Sequence, residues 1–282
     1  MASTEALRLT PLAEGDISGC MALSAEAGWN QTPDDWALFL RHGTVFGVLA
    51  DGAPVASGAI LPYPDEFAWI SMVLVTASRR RERIGTRILA TCCAEIAQRG
   101  LVAVLDATPA GERVYRPLGF EPMFSLTRWQ GAGSGWGAKL PAGARPMTKD
   151  DLTSVAAIDT SVFGARRQFL LEGFFRRLPQ LAFVTEPDAT GFVLARPGRL
   201  ATQIGPIIAT DENVAATLLS AALDSVSGPV FLDLADRWSG LARLLRQRGF
   251  TVQRPYLRMG MRRHAPYGDT ARTFVIAGPE FG

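Results

Sequence analysis

Apolar residues recur four apart at Ile84, Ile88, Cys92 and Ile96, with Leu89 and Cys93 widening the stripe and Gly100 following it. That period predicts an amphipathic helix from about Ile84 to Arg99 with glycine as its stop. Just upstream, the β-branched apolar run Ile70, Val73, Leu74, Val75 predicts a strand over Trp69 to Val75. Asp51-Gly52 between Val45–Leu49 and Val55–Ile60 predicts a hairpin. Thr32 ahead of Pro33-Asp34-Asp35 predicts a helix start, with a hydroxyl cap, proline in the first turn and acids facing the positive end of the dipole. Farther on, Phe163 to Phe175 predicts an amphipathic helix with a basic start at Arg166 and Arg167.

The pattern runs twice. Each half opens on a turn and an acidic helix start, Pro11 to Ile17 and Pro146 to Leu152. Each then shows helices, strands, an apolar strand (Leu101 to Leu105; Pro229 to Leu234), a short helix and an arginine-containing turn. The turns end in Gly119-Phe120 and Gly249-Phe250. A repeat this long predicts a duplicated domain rather than a solenoid. Gly131-Ala132-Gly133-Ser134-Gly135-Trp136-Gly137 lacks residues that hold regular structure, so we expect a first domain over 1–130, a linker over 131–140 and a second domain over 141–282. The element order implies a mixed α/β fold in which each domain carries a mostly antiparallel sheet flanked by helices.

At 282 residues, each half is long enough to bury its own core. A net charge of +2, from 29 basic and 27 acidic residues, argues against a dedicated nucleic-acid binder. No apolar run approaches the roughly 20 residues needed to span a bilayer, so no membrane partner is expected. Residues 1–16 carry Glu5, Glu14 and Asp16 where a signal peptide would have an apolar core. With Cys20, Cys92 and Cys93 forming no spaced framework, we expect a cytoplasmic protein with reduced, core-filling thiols. Only His42 and His264 occur, which disfavours a histidine-rich metal site; no metal is expected.

The chemistry concentrates at Arg80-Arg81-Glu82-Arg83-Ile84-Gly85-Thr86, a basic turn between strand and helix. Uncapped amides, the helix dipole and full positive charges converge there, as phosphate binding requires. A solvated basic helix start is the plainer alternative. Three pieces in order resemble the GNAT superfamily of acyl-CoA-dependent N-acyltransferases. Met72-Val73-Leu74-Val75 is similar to the strand whose backbone pairs with the pantetheine arm. Arg80 to Gly85 resembles the pyrophosphate turn, Q/R-x-x-G-x-G/A. Tyr115-Arg116-Pro117-Leu118-Gly119-Phe120 resembles the Y-x-x-x-G-F turn near the coenzyme sulfur. The second half resembles the partner domain of tandem GNAT proteins in Ile204 to Ile208 and Phe231 to Asp233. It reads Ala209-Thr210-Asp211-Glu212-Asn213 at the turn and Leu245 at the tyrosine position, and so is expected to bind no coenzyme. Arg83 stands where the motif has its first glycine; it can present its amide if its torsions stay in the ordinary region.

The resemblance implies acetyl-CoA as co-substrate, held by Val73, Leu74, Val75 and residues 80–86. It implies transfer of an acetyl group to a primary amine of a small molecule by direct attack in a ternary complex. On the family pattern the Val75 amide polarises the thioester carbonyl and Tyr115 protonates the leaving thiolate, with a ring packed under the Gly-Phe turn as the structural alternative for Tyr115. Asp106, after the next strand, is a candidate base, with a helix cap as its structural alternative; Glu66 is another carboxylate in reach of the strand entrance. Trp29, Asn30, Gln31 and Trp36 are candidates to wall the amine pocket, or else to cap a helix and fill a core. The helix from Phe163 is expected to pack as core against the first domain, or else to complete the acceptor pocket, where Arg166 and Arg167 could hold an anionic group of the substrate. A non-catalytic acyl-CoA sensor or scaffold and a protein or peptide N-acetyltransferase stay open as alternatives. So does homodimerisation through an open sheet edge.

Overall fold

The computed structural model describes residues 8–64, 66–135 and 140–282. In chain order the elements are β1 (Leu9–Pro11), α1 (Ile17–Glu26), α2 (Pro33–His42), β2 (Thr44–Ala50), β3 (Ala53–Tyr63), β4 (Phe67–Val75), α3 (Ile84–Gln98), β5 (Val102–Ala107), α4 (Pro109–Tyr115) and β6 (Phe120–Ser134). There follow β7 (Ala144–Pro146), α5 (Leu152–Phe163), α6 (Gln168–Arg177), β8 (Phe183–Thr185), β9 (Phe192–Arg196), β10 (Thr202–Ile208), α7 (Glu212–Ser225), β11 (Ser227–Ala235), α8 (Ser239–Gln247), β12 (Thr251–Met261) and β13 (Thr273–Val275). They form two compact units, one of residues 1–62 and 67–103, the other of 63–66 and 104–282.

In the first unit the strand order is β1-β2-β3-β4. The predicted hairpin forms with Asp51 at φ 50° and Gly52 at φ 77°, the two left-handed residues that a tight two-residue turn needs to match strand twist. At the start of α2, Thr32 Oγ1 accepts from the Asp35 amide, and the Asp35 carboxylate accepts from the Thr32 amide at 2.9 Å. Ile84, Ile88, Cys92 and Ile96 of α3 are buried as the period predicts. Gly58 of β3 permits that packing, since a Cβ there would lie 2.3 Å from an Ile88 methyl.

In the second unit the order is β5-β12-β6-β11-β13-β10-β9-β8-β7. The β10–β11 pair is parallel and its neighbours pair antiparallel, giving the mixed, mostly antiparallel sheet expected from the element order. β12, late in the chain, lies between β5 and β6, while β6 pairs on its other side with β11. Each half therefore lends a strand to the other's sheet. Under the sheet, Leu218, Leu219, Leu232 and Phe274 are fully buried. Arg128 and Asp233 pair through two 2.8 Å bonds in this interior, with Gln203 Nε2 donating to Asp233 at 2.9 Å.

Two sequence expectations are corrected here. Gly131 to Ser134, read as the beginning of a linker, are the last residues of β6, in register with Val230 to Ser227. The glycines are there for close approach: a Cβ on Gly131 would strike the Phe250 ring at 2.6 Å, and one on Gly133 the Val226 carbonyl oxygen at 2.2 Å. Residues 136–139 of that proposed linker lie outside the described residues. The helix expected across Phe163 to Phe175 is two helices, because Gly164 adopts φ 90° and ends α5 before α6 begins at Gln168.

Candidate coenzyme and acceptor sites

The basic turn between β4 and α3 is built from torsions that its residue types disfavour. Arg81 sits at φ 71°, and Arg83 at φ 59°, ψ 16°. The condition set for Arg83, torsions in the ordinary region, is not met: it takes the left-handed conformation that a glycine would supply in the motif. For a non-glycine residue this costs about 1–2 kcal/mol. A left-handed residue followed by the right-handed start of a helix points successive amides toward one side, the concavity that holds anions. Arg83 caps α3 without any side-chain hydrogen bond, so the first-turn amides of Ile84, Gly85 and Thr86 are not covered by a capping side chain. Gly85 adds room: a Cβ there would meet only a Val75 methyl, at 3.5 Å, an ordinary contact. Packing does not demand glycine at this helix position, where it is a poor helix former; the open space over the first turn suits a phosphate group approaching the backbone. The residues present fit a pyrophosphate.

Neighbouring side chains fix the turn. Glu26, at the end of α1, accepts from Thr76 Oγ1 at 2.7 Å and from the Ala77 amide at 2.5 Å. Those bonds hold its carboxyl below the usual glutamate value of 4.5, Thr76 contributing most. Arg79 pairs with Glu82 at 2.9 Å, which neutralises the acid within the basic run. Arg80 donates to the Val75 carbonyl at 3.3 Å. Sequence reading missed Glu26, whose signal is three-dimensional: it lies fifty residues before the backbone it anchors. In β4 itself Met72 takes φ 54°, an interruption that a glycine-free strand rarely carries, and Ser57 Oγ donates to its carbonyl at 2.9 Å. Val73 and Val75 are half-buried on either side of buried Leu74.

The corresponding turn of the second half differs in substance. Asp211 caps α7, its Oδ1 accepting from the Asn213 and Val214 amides at 2.9 and 3.0 Å. The bond from Val214 leads in holding this carboxyl below its usual value. The amides that an incoming phosphate would use are already satisfied by a fixed negative charge.

Tyr115 closes α4, and its ring lies 5.9 Å from that of Phe120. The ring folds back over Gly111, where a Cβ would stand 2.9 Å from it. Thr108, not Asp106, caps α4, its hydroxyl accepting from the Gly111 amide at 3.2 Å. Asp106 is instead buried in the sheet, both oxygens accepting from Arg258 of β12 at 2.9 Å. Burial pushes this carboxyl up against the pull of the guanidinium.

Among the residues expected to wall an amine pocket, Trp36 is fully buried, with Nε1 donating to Ser24 Oγ at 3.1 Å. It is a core residue, because the helix cap at Thr32 turns it inward. Asn30 and Gln31 are buried and Trp29 is half-buried. Arg167, suggested for an anionic substrate, donates twice to buried Asp159 at 2.9 Å and once to the Gly282 main-chain oxygen at 2.6 Å. Its charge is committed internally. Burial raises the Cys92 thiol to about 12 and the Cys93 thiol to about 11, far from a thiolate nucleophile at neutral pH. Among the described residues no group of three histidine, cysteine or carboxylate side chains comes together to hold a metal, and no helix is long and apolar enough to cross a membrane.

Comparison with known proteins accords with this geometry. Residues 16–120 match the acetyltransferase (GNAT) family, and residues 155–274 match an acetyltransferase (GNAT) domain. The two matches together take in most of the chain, which is a tandem-domain member of the GNAT superfamily of acyltransferases. The uncharacterized N-acetyltransferase YitH of Bacillus subtilis (strain 168) is 24% identical over 248 residues, covering 86% of this chain and 87% of that protein. Holothin acyltransferase of Pseudoalteromonas sp. (strain SANK 73390) is 26% identical over 246 residues, covering 86% and 82%. A putative acetyltransferase from Pyrococcus horikoshii shares the fold across 100% of this chain and 98% of its own, with a TM-score of 0.79 at 19% identity. A tandem GNAT protein from the clavulanic acid biosynthesis pathway does so across 90% and 97%, at 0.61 and 18%.

Proposed function

We propose that the protein transfers an acetyl group from acetyl-CoA to a primary amine of a small molecule, by direct attack with both substrates bound. The observation that carries this reading is the contrast between two helix starts. α3 begins behind left-handed Arg83 with no capping side chain and an open glycine, whereas α7 begins under the carboxylate of Asp211. One start suits phosphate; the other repels it.

Acetyl-CoA supplies the acyl carbon already activated as a thioester. In our reading the amides of residues 83–86 and the charges of Arg80 and Arg81 hold the pyrophosphate. The backbone of β4 over Val73 to Val75 orients the arm, and the Val75 amide steadies negative charge developing on the carbonyl oxygen. Tyr115 gives its phenolic proton to the departing sulfur. Asp106, with both oxygens held by Arg258, positions the sheet rather than carrying the amine proton. Cys92 is buried, and the thiols of both Cys92 and Cys93 are too weakly acidic for a covalent acyl-enzyme route.

Calorimetric titration of the intact protein with acetyl-CoA tests the reading, with Arg81→Glu and Tyr115→Phe alongside. Micromolar binding lost in Arg81→Glu supports the phosphate turn. Tyr115→Phe is expected to keep that affinity while turnover drops about 100-fold. Binding without turnover of any amine would instead favour an acyl-CoA sensor. No binding by the intact protein would sink the coenzyme assignment.

A further inference from the structure

The second unit holds a hollow of about 150 Å³ that the coenzyme reading does not use. A cavity of about that volume takes a molecule the size of benzene. Two segments supply its polar groups. The turn from β11 to α8 carries Asp236 and Arg237, and the stretch before β13 carries Thr270. Phe124, Ala235 and Thr273 also line it.

Both segments are fixed by bonds that leave the charged ends open. The Asp236 amide donates to the Ser125 carbonyl, and the Trp238 amide to that of Ala235, each at 3.1 Å. Trp238 stacks on buried Phe274 with ring centres 4.2 Å apart, and its Nε1 donates to the Thr273 carbonyl at 2.8 Å. On that anchored ring lies the Arg237 guanidinium, 5.5 Å from the centre, and it donates to Thr270 Oγ1 at 2.9 Å. The Thr270 hydroxyl, accepting from Arg237, keeps its own proton for another acceptor. Asp269 is committed to its own turn, accepting from the Ala271 amide at 2.9 Å and, through its carbonyl, from Thr273 Oγ1 at 3.2 Å.

Asp236 and Arg237 are neighbours of opposite charge that do not pair with each other. Among the described residues the Asp236 carboxylate makes no hydrogen bond or ion pair, and the Arg237 guanidinium makes no hydrogen bond besides that to Thr270. A simple anion would meet the guanidinium but also the carboxylate, and a simple cation would meet the reverse. A molecule carrying one charge of each sign satisfies both. We propose that this hollow binds a small amino acid as its zwitterion. The ligand carboxylate takes the Arg237 fork and the Thr270 hydroxyl, and the ammonium takes Asp236. A short apolar side chain fits against Phe124 and Ala235, and the volume leaves no room for an aromatic one. This is a ligand site in its own right and does not depend on the acetyl-transfer reading.

The test titrates the full-length protein, without acetyl-CoA, by calorimetry and ligand-observed NMR. The probes are L-alanine, L-alaninamide, which lacks the carboxylate, N-acetyl-L-alanine, which lacks the ammonium, and L-tryptophan. L-Alanine is expected to bind with a Kd on the order of 1 mM, and the two blocked forms and L-tryptophan at least about tenfold more weakly. Asp236→Asn and Arg237→Gln, at exposed positions, should keep the wild-type thermal transition and each weaken L-alanine about tenfold. Asp236→Asn should leave N-acetyl-L-alanine no weaker, and Arg237→Gln should leave L-alaninamide no weaker. No binding of L-alanine at about 10 mM overturns the inference. So does equal binding of the blocked forms, or L-alanine binding that neither variant weakens. L-Alanine binding to a protein that fails to bind acetyl-CoA would support this site while removing the coenzyme reading.

Discussion

Arg83 holds a conformation that its own side chain opposes, and no sequence pattern reveals the sign of a φ angle. The sequence shows an arginine where the motif has glycine; the structure shows that the backbone kept the glycine's shape. Arg83→Gly should therefore raise stability by up to about 1 kcal/mol in urea unfolding and retain acetyl-CoA affinity to within a few-fold. Arg83→Val, β-branched and worse suited to left-handed torsions, should cost about 1–2 kcal/mol and weaken binding. Equal stability of the two variants would contradict the strain. Gly85 shows the complementary case. Gly85→Ala removes a poor helix former from α3, so stability should hold or rise by up to about 1 kcal/mol. Acetyl-CoA affinity should fall, because the added methyl fills the space above the first turn. A mutation that strengthens the fold while weakening the ligand is hard to explain unless that space is a binding site.

For elements, what could be read in advance was whatever local chemistry decides. The four-residue period of α3, the Asp51-Gly52 hairpin and the Thr32 cap each need only a few neighbouring residues to be recognised, and each forms as expected. Elements whose glycines have distant reasons misled: Gly131 and Gly133 look like linker because Phe250 and Val226, which they accommodate, are far along the chain. The α7 start offers a pH-dependent check. Asp211 has its folded carboxyl held below the usual 3.8, so its contribution is fully present above that value and fades as pH falls through the lower folded value. Asp211→Ala should cost about 1 kcal/mol at pH 7, and the difference from wild type should shrink as the pH approaches 3. The comparison is made by urea midpoints at each pH. Uncovering the α7 amides should not create a coenzyme site there, since no arginine turn precedes them.

At the scale of the molecule, the duplicated pattern was visible and its consequence was not. Two Gly-Phe turns and two similar element orders announce two related halves. Nothing local announces that β12 lies between β5 and β6, because strand pairing is a choice among distant partners. The acceptor candidates show the same limit: the residues around Trp36 allow a pocket wall or a core position equally, and only the fold shows that Trp36 is core. The exchange of strands predicts that neither half stands alone. A chain ending at Ser134 leaves β5 and β6 without their shared neighbour and buries no partner for β6's other edge. It should lack a cooperative thermal transition by circular dichroism; a sharp transition in the isolated half would show that the exchange is dispensable.

The same exchange sets a schedule for synthesis. β5 and β6 leave the ribosome long before β12, which begins at Thr251. At ~5–20 residues per second the interval is on the order of ten seconds. Through that time two strands carry unpaired amides and carbonyls toward one another with nothing between them, an invitation to pair with another nascent chain. The yield of active protein in cells should therefore depend on translation speed and chaperone supply more steeply than the stability of the finished fold would suggest.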